Sequence, residues 1–431
     1  MKILVFIFIY FFSFLSNSLF AQKDNNISIG EKFSIESKIL NEKRFFNIYL
    51  PPSYGTLKEV TYPVIYLMDG DYNFHHTTGL IEQLSSISEK IPEMIVIGIS
   101  DAGHDNYVKN TTPFNKESNP TGQSEKFLEF IFTELKSFID KNYSSANFNI
   151  LIGHSLGGLF TVNALLNKPE YFNVYIAISP SLWWNDYESK DKIKPFFDKY
   201  DNIDRKLFLS LANEKGMGVL GFLDQLDVNT FADQYYKNTP LGLDYSFKHF
   251  ENENHNSVGL VSVDYALKKI FAKYDNSNSK LDNIKNVKNF DNLFNPYSEM
   301  IGTGFRIPTR QLNYIIQQLY KNKFDLKSLE ELIANKYSAS LSDYYNSLGN
   351  VYVKDEKLDD GIKLLKSNIE RNPNSPEYLT SLADAYFKSK KLDSAKLYYT
   401  KSYELAKKQK ARFWYLNQLK ANLVKIKNEK K

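Results

Sequence analysis

Cysteine is absent from the 431-residue chain, which excludes disulfides, thiolate metal sites, a cysteine nucleophile and a lipid-anchoring cysteine. An excess of one charge is missing too. Lys plus Arg number 54 against 50 Asp plus Glu, a formal +4, which gives no electrostatic footprint for nucleic acid or an anionic membrane. Tryptophan is scarce, with 3 residues beside 30 Tyr and 32 Phe, so the adjacent pair Trp183-Trp184 stands out. Beyond Leu15 no stretch is apolar enough to span a bilayer. What remains, 42% hydrophobic and 24% charged, is the composition of a globular enzyme-sized chain with room for two or three domains.

Residues 1–21 hold Met-Lys, a mostly apolar run from Ile3 to Leu15, and small residues at Ser18 and Ala21. A basic start, an apolar core shorter than a membrane span and a small-residue cleavage site predict a secretory signal peptide. The expected location is periplasmic or secreted, with no membrane span after cleavage.

From residue 22 to 275 strand-like and helical runs alternate. The strands are read at Lys32–Leu40, Arg44–Leu50, Pro63–Met68, Met94–Ile99, Phe148–Ile152, Val174–Ile178, Lys206–Leu211 and Leu243–Phe250. Apolar residues at 127, 128, 131, 132, 135, 138 and 139 give Glu125–Tyr143 helical spacing. Such alternation predicts an α/β fold, a mostly parallel sheet with helices on both faces. Residues 275–295 turn rich in Asn, Asp, Lys and Ser, so 276–325 reads as a linker and connecting helix. Beyond it, Leu348, Tyr352, Lys357-Leu358-Asp359 and Leu365 recur as Leu382, Tyr386, Lys391-Leu392-Asp393 and Tyr399. That 34-residue recurrence predicts an all-α, tetratricopeptide-like unit over 326–431, with Gly361 standing where alanine is usual. Leu326–Ala339 and Ala411–Lys425 are expected to cap the stack. The unit is expected to fold on its own and to offer a surface for a protein partner.

Gly153-His154-Ser155-Leu156-Gly157-Gly158 contains G-x-S-x-G between a predicted strand and a predicted helix, the context that lifts a serine hydroxyl above a sheet. A serine needs a base to take its proton. In this α/β fold the order of serine, acid, histidine leaves only His249 and His255, the last two of the chain's histidines. His249 lies inside a strand, whereas His255 lies in the polar loop after it, so His255 is the expected base. His75, His76 and His104 read as loop residues, and no H-E-x-x-H spacing supports zinc. Glu214 is the first carboxylate past the strand Lys206–Leu211 and is the expected acid, with Asp224 and Asp227 as rivals. The oxyanion would be held by the amide of Leu156 and by one from Gly70 or Asp71 in Asp69-Gly70-Asp71. Asp69, Asp71 and Asn73 alternate as in a calcium loop, yet Phe74 and Leu80 stand where Gly and Glu are required. Trp183 and Trp184, after a strand end, are candidates for an aromatic wall of the substrate pocket. No cofactor or metal is called for.

At four places in order the chain resembles the bacterial putative-esterase family of α/β-hydrolases, which includes siderophore esterases, esterase D-like enzymes and mycolyltransferases. They are Tyr66-Leu67-Met68-Asp69-Gly70-Asp71, the Gly153–Gly158 elbow, Ser179-Pro180-Ser181-Leu182-Trp183-Trp184, and Glu253-Asn254-His255-Asn256-Ser257-Val258. Similar exported proteins also carry a carboxy-terminal tetratricopeptide segment. Many relatives have Arg-x-Arg-Asp before a Thr-Pro, where this chain has Tyr107-Val108-Lys109-Asn110-Thr111 before Thr112-Pro113. The expected function is an exported serine hydrolase that cleaves carboxylic esters, small-molecule or glycan-linked, through Ser155, His255, Glu214 and an acyl-enzyme. The alternatives are an acyltransferase using the same triad, and a catalytically dead binding protein built on the repeats.

Overall fold

The computed structural model describes residues 28–117, 119–185, 189–200, 202–238, 241–274 and 278–429. The expected signal peptide lies outside the described residues. Eight strands form one sheet: β1 (Glu31–Ser37), β2 (Glu42–Tyr49), β3 (Tyr62–Leu67), β4 (Ile95–Ile99), β5 (Ser145–His154), β6 (Val174–Ile178), β7 (Asn202–Ala212) and β8 (Leu241–Phe250). Their order is β1-β2-β4-β3-β5-β6-β7-β8. β1 and β2 form an antiparallel hairpin that continues antiparallel onto β4, and every later pairing is parallel. The fold is the mostly parallel α/β sheet that the alternating pattern implies, followed by an all-helical region.

The central strands are buried on both faces, so successive residues feed different cores. Tyr66, Leu151, Tyr175 and Leu209 join one core with the helix Leu156–Asn167 and the helical stretch 124–142. Ile65, Ile150, Ile176 and Phe208 join the other. The helices Gly70–Glu82 and Val258–Ile270 cover part of that second face. His75 and His76 thus sit in a helix, and His104 opens another (His104–Thr111), where the sequence reading had loops.

The rest of the second face is closed by the segment read from sequence as a linker. Leu281, Ile284, Phe290 and Phe294 are at most 4% exposed and belong to the same core as the sheet. The helix Val287–Ile301 packs on β5, and the Tyr274 ring meets Tyr297 at 5.2 Å between centroids. Lys288, Asn289 and Asn292 face outward while Phe290, Phe294, Tyr297 and Ile301 at helical spacing are buried, and averaged composition hides that pattern. The shared core runs on through Leu312, Ile333, Tyr344 and Val351. Helical residues from 287 to 354 are therefore part of the body of the sheet domain, and residue 326 marks no break in packing.

Only beyond this point do self-contained clusters appear. Val353, Ile362, Leu365, Leu382 and Ala385 form one, and Ala383, Ala395, Tyr399, Ala406, Leu419 and Ile426 another. The first lies among the helices Leu341–Lys354, Leu358–Arg371 and Pro376–Lys388, and the second among Pro376–Lys388, Leu392–Lys408 and Phe413–Glu429. At Gly361 a Cβ would come within 2.6 Å of Val353 Cγ2, so Leu341–Lys354 and Leu358–Arg371 pack closer than alanine permits. Among the described residues no helix is long and apolar enough to cross a membrane.

Candidate active site

The carboxyl ends of β3, β5, β6, β7 and β8 face the same edge of the sheet, as parallel strands must, and their loops carry the expected site residues. Open α/β sheets bind ligands at this edge. β5 ends at His154, and the helix Leu156–Asn167 starts one residue later, leaving Ser155 alone at the corner with φ 57 and ψ −119. A non-glycine residue rarely adopts that backbone, and it is held here by its surroundings. The Ser155 amide donates to the Ile178 carbonyl and its carbonyl accepts from the Ser181 amide, at 3.0 and 3.1 Å. A Cβ on Gly153 would lie 2.0 Å from the Gly157 carbonyl oxygen, which explains the glycine before the corner.

Neighbouring strands bring acid and histidine together. β7 pairs with β8 up to Ala212 and Phe250, so the loops leaving them run side by side. The Asn213 amide donates to the Glu253 carbonyl at 2.8 Å. Glu214 follows in a short 3-10 turn, and the histidine loop is shaped by Asn254, whose side-chain oxygen accepts from the amides of Asn256 and Ser257. His255 Nδ1 and Glu214 Oε2 meet at 2.9 Å. Glu214 is 1% and His255 8% exposed. Burial pushes the Glu214 carboxyl up, but the hydrogen bond and charge of His255, with help from Ser179, hold it below the usual carboxylate range. An acceptor-only carboxylate on Nδ1 fixes the tautomer that leaves Nε2 free as a base.

The His154 ring lies 4.6 Å from that of His255. Burial, then the charge of His255, pulls its pKa down to about 4, so His154 stays neutral near pH 7. Ser155 Oγ lies 3.2 Å from Ser181 Oγ, and the hydrogen bonds of the described residues do not join Ser155 directly to His255. His249 lies in β8 with its Nε2 buried. Asp227 lies in the helix Val219–Asn238, and the side chain of Asp224 falls outside the described ones.

Gly70 opens the helix Gly70–Glu82 and is buried against Gly98, while Asp71 gives its carboxylate to Ser100 Oγ and the Asp101 amide. The amides of Gly70, Asp71 and Leu156 head helices, where the first turn leaves N–H groups without intrahelical partners. Trp183 and Trp184 are half-buried, 5.6 Å apart between centroids, on the loop that Ser181 ties to Ser155. Trp184 packs on the core of the first face. Sequence reasoning did not single out Ser181, Tyr107 or His154 as site residues. Two of these sit inside quoted motifs, and Tyr107 stands where the resemblance places an arginine, which was the available signal. Among the described residues no cluster of His, Asp and Glu is arranged to hold a metal ion.

Residues 37–240 match the putative-esterase family. The ferri-bacillibactin esterase BesA of Bacillus subtilis is 31% identical over 256 residues, covering 53% of this chain and 85% of that protein. The crystal structure of an IroE-like serine hydrolase from Shewanella oneidensis is 27% identical with a TM-score of 0.59, covering 68% of this chain and 95% of that one. A crystal structure of an uncharacterised protein from Capnocytophaga ochracea, 15% identical with a TM-score of 0.55, covers 93% of this chain and 99% of its own. This last likeness concerns the fold alone, and it extends into the helical region.

Proposed function

The chain belongs to the putative-esterase family, and on that premise we propose that it is an exported serine esterase that hydrolyses the ester bonds of siderophores. One observation carries the catalytic reading: the 2.9 Å contact between His255 Nδ1 and Glu214 Oε2, buried at the sheet edge that bears the Ser155 elbow. The substrate class follows from the relatives, BesA among them.

Ser155 Oγ turns from Ser181 to His255 and passes its proton to Nε2 as it attacks the ester carbonyl carbon. The Leu156 amide and that of Gly70 or Asp71 hold the resulting oxyanion. Collapse breaks the carbon–oxygen bond, and the departing alkoxide takes the proton from His255. Water then repeats the sequence on the acyl-enzyme, giving acid and alcohol and restoring Ser155. Glu214 stays ionised throughout and stabilises the imidazolium. Trp183 and Trp184 offer flat faces to an aryl acyl group such as a catecholate.

The test is product analysis by mass spectrometry on a cyclic catecholate triester, iron-loaded and iron-free, with a feruloyl sugar ester as comparator. The reading expects ring opening to linear esters by the wild type and none by Ser155→Ala. A feruloyl sugar cleaved about 100-fold faster than the triester would overturn the substrate class and leave the esterase standing.

A further inference from the structure

The elbow is braced from outside by two residues that the proposed reaction does not use. Tyr107, on the helix His104–Thr111, accepts a hydrogen bond from the Gly157 amide at 3.0 Å and lies 3.5 Å from the His154 carbonyl oxygen. The Asp69 carboxyl stands beside it, with Oδ2 buried and without a hydrogen-bond partner. Asp69 is the last residue before the helix Gly70–Glu82 and has the left-handed backbone φ 55, ψ 41. A Cβ placed on Gly157 would lie 3.1 Å from Asp69 Oδ2 and 3.3 Å from Tyr107 Oη, so both groups pack against this glycine.

We propose that Asp69 and Tyr107 are positioning residues that set the separation between the two halves of the oxyanion hole. The inference rests on the esterase reading above. One half, Gly70 or Asp71, follows Asp69 directly in the chain, and the other, Leu156, directly precedes Gly157. The Tyr107 hydroxyl, bonded to the Gly157 amide, and the Asp69 carboxyl, packed against the same glycine, thus set two loops against each other whose amides must converge on one oxygen. A shift of a few tenths of an ångström costs little in substrate affinity but weakens bonds made fully only to the oxyanion.

The brace also carries a charge signature. The groups facing Asp69 are the Tyr107 hydroxyl and Asp101. Asp71 accepts a hydrogen bond from the Asp101 amide, and burial and then the Asp71 charge raise the Asp101 carboxyl while the Arg44 guanidinium lowers it. Burial and then Asp101 push the Asp69 carboxyl up to about 7. Above that pH a carboxylate stands behind the amides that hold the oxyanion and opposes its charge.

The experiment is steady-state hydrolysis of p-nitrophenyl acetate from pH 5.5 to 9 by the full chain, with fluorophosphonate labelling and a thermal melt for each variant. Tyr107→Phe should lower kcat about 10-fold or more with KM within about twofold, and Gly157→Ala, which wedges the same contact, should do likewise. Asp69→Asn keeps the side-chain shape against Gly157 without the charge. It should match the wild type at pH 6.5 and lose the decline above about pH 7. Should Tyr107→Phe fail to fold, the Asp69→Asn profile decides alone. An active wild type with unchanged kcat in Tyr107→Phe, or with an Asp69→Asn profile that superimposes on its own, overturns the brace. A wild type inert to both ester and probe overturns the esterase reading and the brace together.

Discussion

Cutting the chain at Asp282, where its composition suggests a linker, should unfold the sheet domain. The deletion removes Phe290, Phe294, Tyr297, Phe305 and the helices that follow from the core they share with the sheet. Ile81, Leu84, Ile91, Met94, Phe148, Phe271 and Tyr274, each at most 5% exposed, lie in that core on the retained side. Fully exposing such a side chain costs about 1.5–3 kcal/mol. Half-exposing all seven therefore costs about 5–10 kcal/mol, comparable with the roughly 5–15 kcal/mol that holds a domain together. Polar links across the cut go as well: Thr61 N–H to the Gly304 carbonyl, and Arg310 to Glu89. A fragment of residues 22–354 keeps this core and loses the two later clusters, the Tyr378–Asp343 hydrogen bond and the Arg412–Glu82 ion pair. It should stay soluble, melt below the full chain and still cleave small esters. The assay is urea unfolding with binding of a hydrophobic dye at zero urea. A soluble 22–282 fragment that binds no dye and unfolds at the full chain's midpoint would refute the reasoning.

Glu214→Gln should keep the fold, with a lower melt at neutral pH, and reduce kcat on small esters by about 10²–10⁴, because an amide cannot stabilise an imidazolium and favours the wrong tautomer. A large loss in Asp227→Asn with none in Glu214→Gln would move the role. The His154 pKa, about 4 when folded against about 6.5 when unfolded, means that the unfolded state binds the extra proton. Its share of stability is full above about pH 6.5 and lost as the pH falls to about 4, amounting to about 3 kcal/mol. The depressed Glu214 acts in the same direction. Urea midpoints measured from pH 7.5 to 4 should fall accordingly, and His154→Gln should flatten the curve. Expression with the native start in an export-competent bacterium should yield a chain beginning at Gln22 by intact mass, and a product retaining Met1 would end the export proposal.

The strands β3, β4 and β6 were legible because they are short apolar runs that stop at Ser or Asp, a pattern that local sequence carries. Ser155 was legible for the same reason, since the strand, the glycines and the helix lie side by side in the chain. The meeting of Glu214 with His255 could be inferred only through topology, because 41 positions separate them. What could not be read was contact between distant segments of ambiguous composition. Val287–Ile301 has Phe290, Phe294, Tyr297 and Ile301 buried among Asn, Asp and Lys, and only the uncovered face of the sheet reveals why. Tyr107 was half hidden: its departure from the arginine of the resemblance marked the position, but its contact shows only once its hydroxyl is found against the elbow amide.

The central claim is that Ser155 is a nucleophile activated by His255. Its most direct measurement is peptide mapping by mass spectrometry after reaction with a fluorophosphonate at pH 7.5. The account predicts one equivalent of phosphonyl adduct on Ser155, slowed at least about 100-fold in His255→Ala and absent in Ser155→Ala. An adduct on another serine, or a His255→Ala variant labelled at the wild-type rate, would contradict it.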